Sequence, residues 1–180
     1  MGVATNTKRW TLEELDTLPD DDGNVYELIH GELFVTPPPA PRHEDIVARL
    51  AAMLLSYVLS QNLGLLYFPR SVLQLPDSQV EPDLSVRPPL NVDSWQNAPL
   101  PILVIEVLSP SKRRMDRIRK RAFYLEQRVP EYWMVDPELR TITVVRPGAE
   151  DVTVRDRLTW NPAGATEPLV IELASVFAAG

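Results

Sequence analysis

Glu106 stands alone in an apolar run, Ile102-Leu103-Val104-Ile105-Glu106-Val107-Leu108. A carboxylate there points into the interior, where an unpaired ionised group costs several kcal/mol or stays protonated. Twenty-three residues earlier, Glu81-Pro82-Asp83 opens a short apolar strand and offers a second carboxylate. Two acids that share a divalent cation, with a lysine from the basic segment beginning at Lys112, make a site for attacking phosphate esters. The blander readings are a strand start or turn for Asp83 and a buried acid paired with an arginine for Glu106.

For these groups to meet, the elements around them must be placed correctly. The order helix, three strands, helix, strand predicts an α/β layer architecture, a restriction endonuclease-like core with added hairpins, in which the basic helix crosses between neighbouring strands. Alternation puts Glu81, Asp83 and Ser85 on one face of their strand and Ile102, Val104, Glu106 and Leu108 on one face of theirs. If those strands pair, the acids meet. The helix over about 113–127 carries Met115, Ile118, Ala122 and Leu125 on one face and Asp116, Lys120 and Tyr124 on another. Lys120, about two turns in, reaches the same point while Arg117 and Arg121 face solvent.

The other elements follow from pattern. Asn24 to Val35 alternates as a hairpin with His30-Gly31 at the turn. Glu44 and Asp45 open a helix with Ile46, Val47, Leu50, Leu54, Tyr57 and Val58 at helical spacing. Leu65 to Phe68 and Val72 to Leu75 suggest a second hairpin. Glu131 to Val135 and Thr141 to Val145 form a meander around Asp136-Pro137, and Ser109-Pro110-Ser111 can cap the basic helix. Leu50 to Pro69 holds no charged residue over twenty positions. Ser56, Ser60, Gln61, Asn62 and Gly64 break it, so it is expected to be a buried helix running into a core strand, not a membrane span.

Composition sets the bounds. The 180 residues are 44% hydrophobic and 24% charged, which suits one globular domain over 1–180, with 1–10 expected to be flexible. The absence of cysteine excludes thiol catalysis and cysteine-ligated zinc and agrees with a cytoplasmic setting. Lys8 and Arg9 are followed by Thr11-Leu12-Glu13-Glu14-Leu15 and not by an apolar core, so no signal peptide is expected. With no two glycines closer than Gly23 and Gly31 there is no phosphate-cradling loop, and there is no Gly-x-Ser-x-Gly elbow. No aromatic residue adjoins Asp83 or Glu106, which disfavours glycoside hydrolysis.

Net charge is −7, but residues 112–121 hold seven cations and one acid, Asp116. One basic patch therefore sits on an acidic body, either as a solvated helix face or as a phosphate-binding surface formed by Lys112, Arg113, Arg114, Arg117, Arg119 and Arg121.

Several blocks in order resemble one family: Tyr26-Glu27-Leu28-Ile29-His30-Gly31-Glu32-Leu33, Pro39 to His43, Glu81-Pro82-Asp83-Leu84, Ile105-Glu106-Val107-Leu108-Ser109-Pro110-Ser111, Asp116 to Lys120, and Pro130-Glu131-Tyr132-Trp133-Met134-Val135-Asp136-Pro137. Together they resemble the restriction endonuclease-like domain family abundant in cyanobacteria and other bacteria, within the PD-(D/E)XK nuclease superfamily, over about two thirds of the chain. The resemblance implies a metal-dependent nuclease with Asp83 and Glu106 as metal ligands and Lys120 as catalytic lysine. Leu108 stands where the superfamily's plain pattern has its lysine, which in this family moves to the next helix. Lys112 and Arg128 replace an expected threonine and glycine.

The expected activity is therefore hydrolysis of DNA by an endonuclease using Mg2+ or Mn2+, held by Asp83, Glu106 and the Val107 carbonyl. The alternative is a nuclease-fold nucleic-acid-binding or assembly module that does not cleave. Glu27 is either an accessory site residue or an exposed hairpin acid. His43 is either an accessory residue or a local hydrogen-bonding group at a helix start. Lys120 could also be a solvated or DNA-contacting lysine. DNA is the expected partner, no membrane is involved, and the sequence leaves open whether the chain forms a homo-oligomer.

Overall fold

The computed structural model of the chain describes residues 8–19, 22–69, 71–109 and 116–178, with the side chains of Asp116 and Arg117 outside that description. Twelve strands and four α-helices are defined among these residues: α1 (Leu12–Leu15), β1 (Val25–Ile29), β2 (Glu32–Thr36), α2 (Pro41–Ser60), β3 (Leu65–Tyr67), β4 (Leu73–Leu75), β5 (Ser78–Val80), β6 (Leu84–Arg87), β7 (Leu103–Val107), α3 (Arg121–Glu126), β8 (Tyr132–Asp136), β9 (Thr141–Val145), β10 (Val152–Val154), β11 (Arg157–Trp160), β12 (Leu169–Glu172) and α4 (Leu173–Val176). A π-helical turn, Asp116–Lys120, leads directly into α3.

The central sheet has six strands in the order β10-β9-β8-β7-β6-β3, and only β7 and β8 are parallel. A parallel pair needs a crossover, and the segment containing the π turn and α3 supplies it, as the sequence predicts. Strand alternation then sorts side chains between two layers. Leu103, Ile105 and Val107 of β7, with Trp133 and Val135 of β8, pack against Ile46, Leu50 and Leu54 of α2 and against Leu173 and Val176 of α4. Val104, Tyr132 and Met134 project to the other side, onto Phe123 and Tyr124 of α3 and onto Ile29, Leu73 and Val80 of a four-stranded sheet ordered β2-β1-β5-β4. Glu106 alternates with Val104 and so belongs to this second interface. Each large apolar side chain buried fully in either layer contributes about 1.5 to 3 kcal/mol, which is enough to hold polar groups between them.

The first hairpin forms as predicted. His30 and Gly31 have φ of 50° and 77°, the two left-handed residues a tight two-residue turn requires. Helix α2 starts earlier than the acidic pair suggested, at Pro41, whose missing N–H costs nothing at a first helical position. Leu50 to Pro69 does run from α2 into β3, and no helix among the described residues is long and apolar enough to cross a membrane.

One expectation needs correction. Residues 65–68 and 72–75 do not form a hairpin: β3 pairs with β6 in the central sheet, whereas β4 pairs with β5 in the smaller one. Leu66 joins the α2 side of the core and Leu73 the other, so the chain changes layer between them. The unrecognised hairpin is β4–β5, closed by Pro76 and Asp77, with Leu75 opposite Ser78. The π turn and α3 carry Lys120 and Tyr124 inward on one face, as expected from the reach of Lys120 to the acids. Ile118 is 58% exposed and Ala122 is exposed, while Lys120, Phe123 and Tyr124 are buried. A helix covering a polar site turns its polar residues inward, and the π turn adds one residue that shifts the register expected for a continuous α-helix. The cap proposed for Ser109-Pro110-Ser111 involves residues outside those described.

Two backbone positions explain sequence choices. Gly64 has φ of 119°, and a Cβ placed there would lie 1.9 Å from the Arg87 carbonyl oxygen, so only glycine lets the α2–β3 connection pass the end of β6. Arg128, where the family resemblance leads one to expect glycine, has φ of 56°. The turn after α3 keeps the left-handed geometry that glycine would fill, and here an arginine bears it.

Candidate active site

β6 and β7 are antiparallel, with Leu84 opposite Ile105 and Ser85 opposite Val104. Asp83 immediately precedes β6 and Glu106 follows Ile105, so the two acids flank the last pair, Leu84 and Ile105, at the same end of the ladder. Both acids are buried, Asp83 at the mouth of β6 and Glu106 completely. The pairing condition stated for the two carboxylates is therefore met.

Asp83 is held from two sides. Its Oδ2 accepts a hydrogen bond from the Val107 amide at 2.7 Å and lies 3.1 Å from His43 Nε2. His43 is the third residue of α2, and its Nδ1 faces Glu44 Oε1 at 3.1 Å. The ring thus links the helix start to the strand carrying the acid, and it orients Asp83 in the way an outer partner orients a ligand.

Glu106 Oε1 receives two donors from the crossover helix. Lys120 Nζ is 2.7 Å away and the Tyr124 hydroxyl donates at 2.8 Å. Lys120 and Tyr124 are four residues apart and face the sheet together. Lys120 is fully buried, and its ammonium also lies 2.8 Å from Glu27 Oε1. The same Glu27 oxygen accepts from the Glu81 amide at 2.8 Å. Glu27 is itself completely buried, which corrects the exposed-acid alternative, and its Oε2 has no hydrogen-bond partner among the described residues. One side chain of β1 therefore grips both the segment leading to Asp83 and the lysine.

A cleft of about 300 Å3 opens beside Asp83 and His43. Pro37, Pro38, Pro39 and Pro69 wall it, with Glu44, Glu81 and Ser109 at its rim. Proline rings form a stiff apolar wall that needs no hydrogen bonds from water.

The residues suit a hard divalent cation. Carboxylate and carbonyl oxygens are the donors Mg2+ and Mn2+ prefer, and Mg2+ keeps several waters, so few protein ligands suffice. Among the described residues no three histidine, cysteine, aspartate or glutamate side chains form a metal cage. The side chains that could hold such an ion are the carboxylates of Asp83 and Glu106.

Asp83, Glu106, Lys120, Glu27 and His43 thus fall into one contact network. Of the basic residues assigned to DNA, Arg119 pairs with Glu32 at 3.0 Å and Arg121 makes two 2.8 Å bonds to Asp151. Lys112, Arg113 and Arg114 lie outside the described residues, as does the side chain of Arg117. Two site residues carried no sequence assignment. Tyr124 was detectable from its i+4 spacing to Lys120, whereas Glu81 acts through its backbone amide, for which sequence gives no signal.

Residues 12–175 match the protein family described as "Uma2: Putative restriction endonuclease". No curated protein matches the chain. Among solved structures, a "putative nuclease belonging to DUF820" from Anabaena variabilis is similar, with a TM-score of 0.79 and 24% identity, over 93% of this chain and 97% of that one. At that identity the likeness speaks to the fold. With nearly its whole length matched by the family, the chain belongs to the Uma2 family of restriction endonuclease-like nucleases.

Proposed function

We propose that this protein is a Mg2+- or Mn2+-dependent endonuclease that hydrolyses DNA phosphodiester bonds. The observation that carries the reading is the meeting of Lys120 with Glu106 at 2.7 Å, with Asp83 accepting a hydrogen bond from the amide of the next residue, Val107. Asp83, Glu106 and the Val107 carbonyl would hold the cation, which when bound lowers the pKa of a water and polarises a phosphate oxygen.

The chain's own groups do the remaining work. Val107 N–H and His43 fix Asp83 in one orientation. Tyr124 and Lys120 fix Glu106 through a single oxygen, Oε1. Glu27 holds the lysine in place by its ion pair, so a preorganised ammonium faces the negative charge that develops on phosphate during displacement. The proline wall of the cleft supplies shape without competing donors.

Purified protein incubated with supercoiled, linear and single-stranded DNA and Mn2+ tests the reading. Products are expected from the native chain and are lost in Asp83→Ala, Glu106→Ala and Lys120→Met alike. Products that survive all three changes overturn it.

One observation favours the second reading, a nuclease-fold module that binds nucleic acid without cutting. Lys120 is completely buried between two carboxylates, an arrangement that also serves purely as a structural ion pair. In that case the native protein binds DNA and yields no product under the same conditions.

A further inference from the structure

Away from the carboxylates, a larger groove of about 590 Å3 lies at the turn of the β1–β2 hairpin. Lys8, Arg9 and Arg119 line it together with Trp10 and His30, and Glu32 is the acid among its lining residues. In a chain of net charge −7 this is a local excess of cations. Its floor is firm, because the Trp10 amide donates to the Gly31 carbonyl at 2.9 Å and His30 Nε2 lies 3.0 Å from Glu126 Oε2 on α3.

The contacts within the groove are of a kind that an incoming phosphate can replace. Lys8 and Arg9 are exposed, and Arg119 and Glu32 are more than half exposed in their ion pair. Exposed pairs such as Lys8–Glu14 and Arg119–Glu32 are worth about 0 to 1 kcal/mol. Lys8 Nζ rests 3.8 Å from the centroid of the half-buried Trp10 ring, which is the place a base occupies when an indole serves as a stacking platform. Cations around a partly open aromatic plane distinguish a nucleic-acid strand from an acidic peptide.

The groove is tied to the carboxylate centre through the chain: Arg119 adjoins Lys120, and Glu27 of β1 lies three residues before His30, which lines the groove.

We infer that this groove binds a nucleic-acid strand, with Lys8, Arg9 and Arg119 on phosphates and Trp10 under a base. The inference deepens the nuclease reading by naming where the strand is held.

The test is binding of a fluorescein-labelled 20-mer, single-stranded and duplex, to the full chain in EDTA, measured by anisotropy at several salt concentrations. The double variant Lys8→Glu/Arg9→Glu is expected to weaken binding at least tenfold and to reduce the log-log salt slope by about 1.4 to 1.8, the loss of two phosphate contacts. Trp10→Leu is expected to weaken single-strand binding about tenfold, with little change in salt slope. Arg157→Glu, an exposed arginine on β11, serves as the control and is expected to have little effect. All variants are compared at matched melting temperature, and Arg9→Glu alone, at an exposed position, replaces any that fails to fold. Unchanged affinity and slope in the groove variants overturn the inference even if the native protein cuts DNA. Groove-dependent binding without any cleavage in Mn2+ upholds it and overturns the nuclease reading. No binding of either oligonucleotide overturns the groove.

Discussion

Lys120 Nζ and Glu106 Oε1 lie 2.7 Å apart although they belong to different layers, one to the crossover helix segment and the other to a central strand. Both are completely buried, and Glu27 holds the lysine from the opposite side at 2.8 Å. The arrangement makes the lysine's position depend on two acids and makes each acid's burial depend on the lysine.

Removing the lysine should therefore expose that mutual dependence. Lys120→Met leaves two buried carboxylates without their shared cation, and breaking such a pair costs about 3 to 5 kcal/mol. The double variant Lys120→Met/Glu27→Gln should recover at least about 1 kcal/mol of that loss in urea denaturation. Strict additivity of the two changes would show that the lysine does not depend on Glu27. Cleavage in Lys120→Met should fall at least about a hundredfold.

Metal binding should be visible as stability. Mn2+ at a hundredfold excess over its dissociation constant should raise unfolding free energy by about 2.7 kcal/mol in the native protein, and not in Asp83→Ala. His43→Ala, which removes the ring 3.1 Å from Asp83 Oδ2, should weaken Mn2+ binding about 10- to 100-fold in calorimetry. Equal melting shifts in native protein and Asp83→Ala would refute the assignment.

Tyr124→Phe separates orientation from packing. The ring remains against Tyr132, with centroids 4.8 Å apart, and the hydroxyl bond to Glu106 is lost. A hydrogen bond to a charged acceptor contributes about 1.5 to 3 kcal/mol, so stability should fall within that range. Cleavage should decline less than in Lys120→Met. A loss as large as that of Lys120→Met would assign the hydroxyl a direct part in the chemistry.

Gly64→Ala should destabilise by about 1 to 3 kcal/mol or more, because the new Cβ meets the Arg87 carbonyl in a backbone region that side chains avoid. Circular dichroism melting would detect it, and an unchanged midpoint would mean that the α2–β3 connection can move away from β6.

Arg128→Gly should act in the opposite direction. Relief of a left-handed φ is worth about 1 to 2 kcal/mol, less the extra backbone entropy of glycine of about 0.5 to 1 kcal/mol. A midpoint raised by a few degrees is the expected outcome, and a lowered midpoint would show that the arginine side chain contributes contacts worth more than the strain.

The sequence by itself determined the elements whose signal is local. Alternation and apolar runs identified β1, β2, β6, β7, β8 and β9, and helical spacing identified α2. Glu106 was conspicuous because a charge in an apolar strand needs a partner, and Asp83 followed from the strand geometry. Tertiary structure decided what depends on distant surfaces. The split of β3 and β4 between two sheets reflects which layer offers each short strand an edge, a choice that three-residue strands cannot encode. The burial of Lys120 and Tyr124 is possible because they gain charged and hydrogen-bonding partners once β7 and β1 are in place, whereas Ile118 is left at the surface. Glu27 illustrates the same rule: period-2 alternation assigns it a face, but only the packing of one sheet on another determines that this face is interior and that its partner is a lysine 93 residues away. Local pattern is a property of neighbouring residues, whereas burial of a charge is a property of the whole fold.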